Sequence, residues 1–109
     1  MILFNVTKNL VVSKDLKIAD RFFDRLFGLM FKKKMDEDES LLITNCRGVH
    51  TCFMNFPIDV VFFSANKAIS IITLKPWRFS KFYRSDFVIE FNAGFVYDKI
   101  SIGDEIKII

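Results

Sequence analysis

The groups able to do chemistry in this chain crowd into one stretch, Cys46-Arg-Gly-Val-His50-Thr-Cys52-Phe-Met54-Asn-Phe-Pro57-Ile-Asp59. It holds both cysteines, the only histidine and one of the two prolines, and it runs into the apolar Val60-Val-Phe-Phe63. A metal site would draw on Cys46, His50 and Cys52, with Asp59 as a fourth ligand. Those donor types suit zinc, but the spacing contains no C-x2-C pair. Thiol chemistry would pair Cys52 with His50 as the base. Side chains two apart on a strand stand roughly 6–7 Å apart, beyond direct hydrogen-bond reach. A Cys46–Cys52 disulfide would need a tight turn at Gly48, because six extended residues span about 20 Å and a bridge needs Cα atoms within about 7 Å. Ligand binding without catalysis would use Arg47, His50 and Asp59 as polar anchors in an aromatic-walled pocket. The plain alternative is packing: Cys and Met are core residues, and a lone His beside an apolar face is ordinarily a satisfied one. Asp59, following Pro57 at the start of a very apolar strand, is expected to be partly buried and to pin a turn through hydrogen bonds.

If residues 46–56 are extended, Cys46, Gly48, His50, Cys52, Met54 and Phe56 share one face by the two-residue period, and Arg47, Thr51 and Asn55 take the other. The elements around them must be strands. Residues 2–6 and 10–13 predict an opening hairpin, 41–44 a strand, and 58–63 and 68–74 a hairpin turning at Ser64-Ala-Asn-Lys67. Residues 87–91 and 105–109 predict two more strands. Residues 19–27, with Phe22, Phe23, Leu26 and Phe27 at helical spacing, predict one short amphipathic helix that must dock on a sheet. The charged segment 32–40 reads as a solvated loop. Many short strands with one helix favour a mainly β, antiparallel barrel or jelly-roll-like sandwich.

A second unusual stretch, Lys75-Pro-Trp77-Arg78-Phe79-Ser-Lys81-Phe82-Tyr83-Arg84-Ser-Asp86, interleaves four cations with four aromatics. Rings that stack and cations that hold phosphates are the parts of a single-strand binder. The same composition suits an anionic membrane surface, a partner protein, or a loop whose rings simply pack down on the sheet. Four cations are few for a phosphate footprint, so nucleic acid is disfavoured.

Length and composition set the outer bounds. A chain of 109 residues is one domain's worth, here 1–109. Its 14 Phe supply enough apolar area for a core without disulfides, and some rings are expected to stay near the surface, where they could seat a second copy. Sixteen basic against thirteen acidic residues give a net charge of +3, which is mild. No secretory signal or membrane span is evident, so a soluble, cytoplasmic protein with free thiols is expected.

Several motifs run through the chain in order: Phe27-Gly28-Leu29-Met30-Phe31; Cys46-x3-His50-Thr51-x-Phe53-Met54-x2-Pro57-Ile58-Asp59-Val60-Val61-Phe62; Lys75-Pro76-Trp77-Arg78; Glu90-Phe91-x-Ala93-Gly94; and Gly103-Asp104. Together they resemble the domain-of-unknown-function 192 family, in the branch with C-x3-H-T where other members carry a tryptophan-methionine pair. The resemblance covers essentially the whole chain and implies a compact, mainly β, barrel-like or jelly-roll-like fold. It marks Gly28, Met30, His50, Met54, Asp59, Glu90, Gly94 and Asp104 as motif positions without assigning them roles. The export or lipoprotein signals of many relatives are not seen here, so the resemblance does not imply an envelope role.

The expectation is therefore a non-enzymatic accessory domain that binds a small molecule or a protein partner, with no cofactor. Its contact surface would join the 46–59 segment to the 75–86 loop through Arg47, His50, Asp59, Trp77 and Arg78. The alternative is a metal- or thiol-dependent enzyme centred on Cys46, His50 and Cys52.

Overall fold

Runs of β-branched and aromatic residues become strands in the computed structural model, which describes residues 1–19, 36 and 38–109. Eight strands lie among the described residues: β1 (Leu3–Asn5), β2 (Leu10–Ser13), β3 (Asp15–Ala19), β4 (Glu39–Thr44), β5 (Ile58–Ser64), β6 (Lys67–Leu74), β7 (Phe87–Asn92) and β8 (Ile106–Ile108). They form a three-stranded sheet, β2-β1-β8, and a five-stranded sheet, β3-β4-β7-β5-β6. Neither sheet closes on itself, so the open, sandwich-like arrangement is the one formed. The predicted hairpins are present. β1 pairs with β2, and β5 pairs with β6 through a turn whose Ala65 and Asn66 both have positive φ (49° and 63°). That left-handed pair matches the right-handed twist of the flanking strands.

Two expectations change. β3 was not predicted, and it pairs parallel to β4, the one parallel pairing among otherwise antiparallel neighbours. β4 also starts inside the segment read as a charged loop, at Glu39. That carboxylate is buried because it has partners: Lys17 Nζ at 3.4 Å and the Asp36 N–H at 3.0 Å. The helix expected at 19–27 lies outside the described residues, apart from Ala19, which closes β3.

Strand alternation builds two cores on the two faces of the five-stranded sheet. One face carries Leu42, Val61, Phe63, Ile89 and Phe91, and packs with Leu3, Val12 and Ile106 of the smaller sheet. The opposite face carries Leu41, Ile43, Ile58, Val60, Phe62 and Val88, and is joined by Cys46, Met54 and Phe56 of the segment that leaves β4. The second core therefore seats the 46–56 segment and positions everything that segment displays.

Candidate functional site

The 46–56 segment is not a regular strand. Asn45 (φ 49°) and Phe53 (φ 67°) bend it at both ends, and burial does not alternate along it as predicted. Cys46, Met54 and Phe56 are buried and His50 is exposed, although all four were expected on one face. Thr51, expected opposite them with Arg47 and Asn55, is fully buried. The reason is the neighbour. The 75–86 loop runs antiparallel beside this segment and takes up its backbone groups. Thr51 N–H donates to the Arg78 carbonyl (2.9 Å), Trp77 N–H to that of Thr51 (3.0 Å), Ser80 N–H to that of Val49 (2.9 Å) and Tyr83 N–H to that of Arg47 (2.8 Å). The ribbon is fastened at its base by Ser85 Oγ donating to the Cys46 carbonyl at 2.6 Å.

Thr51 is the rivet. Its hydroxyl donates to the Lys75 carbonyl and accepts the Arg78 N–H at 2.9 Å, so one buried side chain ties both segments together. Sequence reasoning did not single it out. The available signal was a polar β-branched residue beside the only histidine.

The outer surface of this ribbon is aromatic and basic. Phe53 and Trp77 are each 55% exposed, Phe79 is 75% exposed and Phe82 is 86% exposed. Phe53 and Trp77 touch at 4.7 Å between ring centroids, tilted by 59°, and both residues hold left-handed backbone (Trp77 φ 62°). His50 leans on Phe79 at 6.0 Å, across the single bridge that pairs the two residues. Phe82 lies over Gly48 so closely that a Cβ there would stand 2.9 Å from its Cδ1. Arg47, Lys75, Arg78, Lys81 and Arg84 are all exposed, and none is ion-paired with a described residue. Among the described residues, Arg78 directs its guanidinium to the carbonyls of Pro76 and Trp77. An open hollow of about 500 Å³ lies at the Arg47–Phe82 end, lined also by Asn45, Gly48, Ser85 and Asp86. Asp86, the acid there, accepts the Ala65 N–H at 2.8 Å.

The structure sets His50, Trp77 and Arg78 near the Phe79 bridge and Arg47 further along the same ribbon, beside Tyr83. It does not bring Asp59 to them. Asp59 is fully buried on β5 between Ile58 and Val60, and points to the opposite face, opposite Thr73 and Phe91. Its carboxylate accepts the Thr73 hydroxyl (2.7 Å) and the Val96 N–H (3.2 Å), and Thr73 also meets the Tyr97 hydroxyl (2.8 Å). It pins a turn, as the sequence suggested, but the turn after β7.

The alternative centre does not assemble either. Among the described residues no three His, Cys, Asp or Glu side chains are grouped to hold a metal ion. Cys46 is buried and its thiol donates to the Gly48 carbonyl at 3.2 Å. His50 Nδ1 accepts the backbone N–H of Cys52 at 3.2 Å, so this ring nitrogen is engaged with main chain and not with the thiol.

Two further carboxyl groups are shaped by their surroundings. Glu90 on β7 sits between Leu41 and Val60 on the ribbon-bearing face, and burial pushes its carboxyl up from 4.5 to about 8. Burial also pushes Asp104 up, but hydrogen bonds from Lys8, Asn5 and the Ser101 N–H, with the Lys8 charge, outweigh it and hold the carboxyl below its usual range.

The fold and this surface define an open two-sheet β protein with an exposed basic-aromatic ribbon. A model of the domain-of-unknown-function 192 family, described as an uncharacterized ACR, matches residues 4–108, and the chain belongs to that family. It is 37% identical to a UPF0127 protein of Pyrococcus horikoshii over 94% of this chain and 95% of that one. It is 33% identical to a UPF0127 protein of Pyrococcus furiosus over 96% of each. Two solved structures share the fold. A candidate transcription regulator of Sinorhizobium meliloti superposes with a TM-score of 0.79 at 22% identity, over 97% of this chain and 89% of that one. A protein of unknown function from Novosphingobium aromaticivorans gives 0.78 at 16% identity, over 98% and 82%. Among the described residues no helix is long and apolar enough to cross a membrane.

Proposed function

We propose that the chain is a non-enzymatic binding domain that docks on an anionic partner through the ribbon of residues 47–53 and 75–84. The observation that carries this reading is the coincidence, on two adjoining segments, of four exposed rings with five cations not ion-paired to any described residue. Exposed rings grouped on one patch mark contact surfaces, because leaving them in water forgoes burial free energy. Cations held close together without counter-charges repel one another and raise the local positive potential. An anionic partner relieves both. A second copy of the chain would bring like charges face to face, so self-association by this surface is disfavoured.

A charge-matched comparison on immobilised heparin tests the reading. The Arg78→Ala/Lys81→Ala variant should elute at distinctly lower salt than the wild type. Lys67→Ala/Lys107→Ala, which removes the same charge from exposed positions elsewhere, should elute close to it. Equal shifts for the two variants would mean that only net charge matters and that the ribbon is no site.

A further inference from the structure

The ribbon's geometry also narrows the partner: we infer that it docks on the surface of an anionic lipid bilayer. This rests on the contact-face reading above and names what the face contacts.

Phe79 and Phe82, 75% and 86% exposed, stand out from a backbone that is itself hydrogen-bonded into the ribbon. Their exposure is built in by the pairing of two segments. A peptide ligand would need a groove or an unpaired strand edge to bind against. Here the 46–56 and 75–86 segments spend backbone groups on each other, and the hollow beside them is open and lies at one end. A nucleic acid would need free ring faces as stacking platforms. The Phe53 and Trp77 rings are tilted against each other and His50 and Phe79 likewise, which leaves Phe82 alone of the four exposed rings without a ring partner among the described residues. A bilayer interface asks for neither groove nor platform. It takes up projecting rings at the boundary between head groups and acyl chains, while flanking Lys and Arg meet anionic head groups. Arg47, Lys75, Arg78, Lys81 and Arg84 flank the rings along the whole ribbon.

Trp77, the only tryptophan of the chain, lies on this face, so its emission reports the event directly. The full chain is mixed with vesicles of phosphatidylcholine plus phosphatidylserine, with vesicles of phosphatidylcholine alone, with polyglutamate and with oligo(dT). Binding is read by co-sedimentation or retention and by Trp77 emission. The expected result is binding to the phosphatidylserine vesicles alone, with emission moving to shorter wavelength and affinity falling as salt rises. Each cation removed should weaken binding about fivefold, so Arg78→Ala/Lys81→Ala should lose roughly 25-fold. Phe79→Ala/Phe82→Ala should lose about tenfold or more. These positions are exposed, so thermal melts of both variants should match the wild type. Binding to polyglutamate or oligo(dT) without binding to vesicles would overturn the bilayer assignment and leave the contact face standing. Binding to none of the four, or vesicle binding indifferent to both variants, would overturn the two together.

Discussion

Glu90 offers the sharpest quantitative test of how the ribbon-bearing face is built. The side chain sits in the middle strand of the sheet, and burial alone raises its carboxyl from 4.5 to about 8. Between those values the folded chain keeps a proton that the unfolded chain has released. Stability must therefore fall as pH rises through the window and level off above it. At 1.36 kcal/mol per pH unit, the loss is roughly 3 kcal/mol between pH 4.5 and 7, and roughly 5 kcal/mol once pH passes 8. Against the usual total of about 5–15 kcal/mol, that is a large share. Glu90→Gln cannot ionise, so its profile should be flat through the window. The buried amide carries a constant cost of about 1–3 kcal/mol. Urea unfolding from pH 4.5 to 9 should give two curves that cross: wild type more stable in acid, Glu90→Gln more stable above pH 8. Parallel curves would refute the reasoning, because the carboxyl would then be exposed or paired in a way its burial does not allow.

Three other expectations follow from single contacts. Thr51→Val keeps the shape of the rivet and removes its hydroxyl. It should cost about 2 kcal/mol in urea unfolding and make the 75–86 loop more sensitive to limited proteolysis, because the Lys75 carbonyl and Arg78 N–H lose their shared partner. Gly48→Ala should leave the melting temperature nearly unchanged. The Cβ meets one edge of the exposed Phe82 ring, which can turn away, and reaches the Lys81 carbonyl only at 3.4 Å, yet displacing that ring should weaken partner binding. Asn5→Ala removes a fully buried donor to Asp104 and to the Lys99 carbonyl. Asp104 stabilises the fold above its usual carboxylate range, and that contribution is lost as pH falls through its lowered value. The variant should therefore unfold at a higher pH than the wild type in an acid titration followed by circular dichroism.

The strands that the sequence announced were those with local signals. β5, β6 and β7 are long β-branched and aromatic runs, and Ala65-Asn66 between β5 and β6 is a turn by chemistry. β3 was invisible because Asp15, Lys17 and Ile18 are exposed, leaving only Leu16 and Ala19 to mark a buried face, and its parallel partner β4 begins twenty residues on from its end. Of the candidate site, the union of 46–56 with 75–86 was legible as two chemically unusual stretches. The direction of each side chain was not. A two-residue period assumes extended backbone, and left-handed Asn45, Phe53 and Trp77 break that assumption. Asp59 shows the complementary failure: close to Cys52 along the chain, it is turned to the other core by the alternation of β5. Glu90 was legible only as a motif position in an apolar strand, and its register neighbours, Leu41 and Val60, place it inside.

The claim that matters most is that this protein meets its partner with the basic-aromatic ribbon. Amide-resolved NMR of the 15N-labelled chain, titrated with a soluble short-chain phosphatidylserine, addresses it residue by residue. Shifts should concentrate at residues 47–53 and 77–84, with the Trp77 indole among the most affected signals. Shifts centred instead on a second hollow, lined by Val6, Asn66 and Glu105 to Ile108, or spread evenly over exposed lysines, would contradict it.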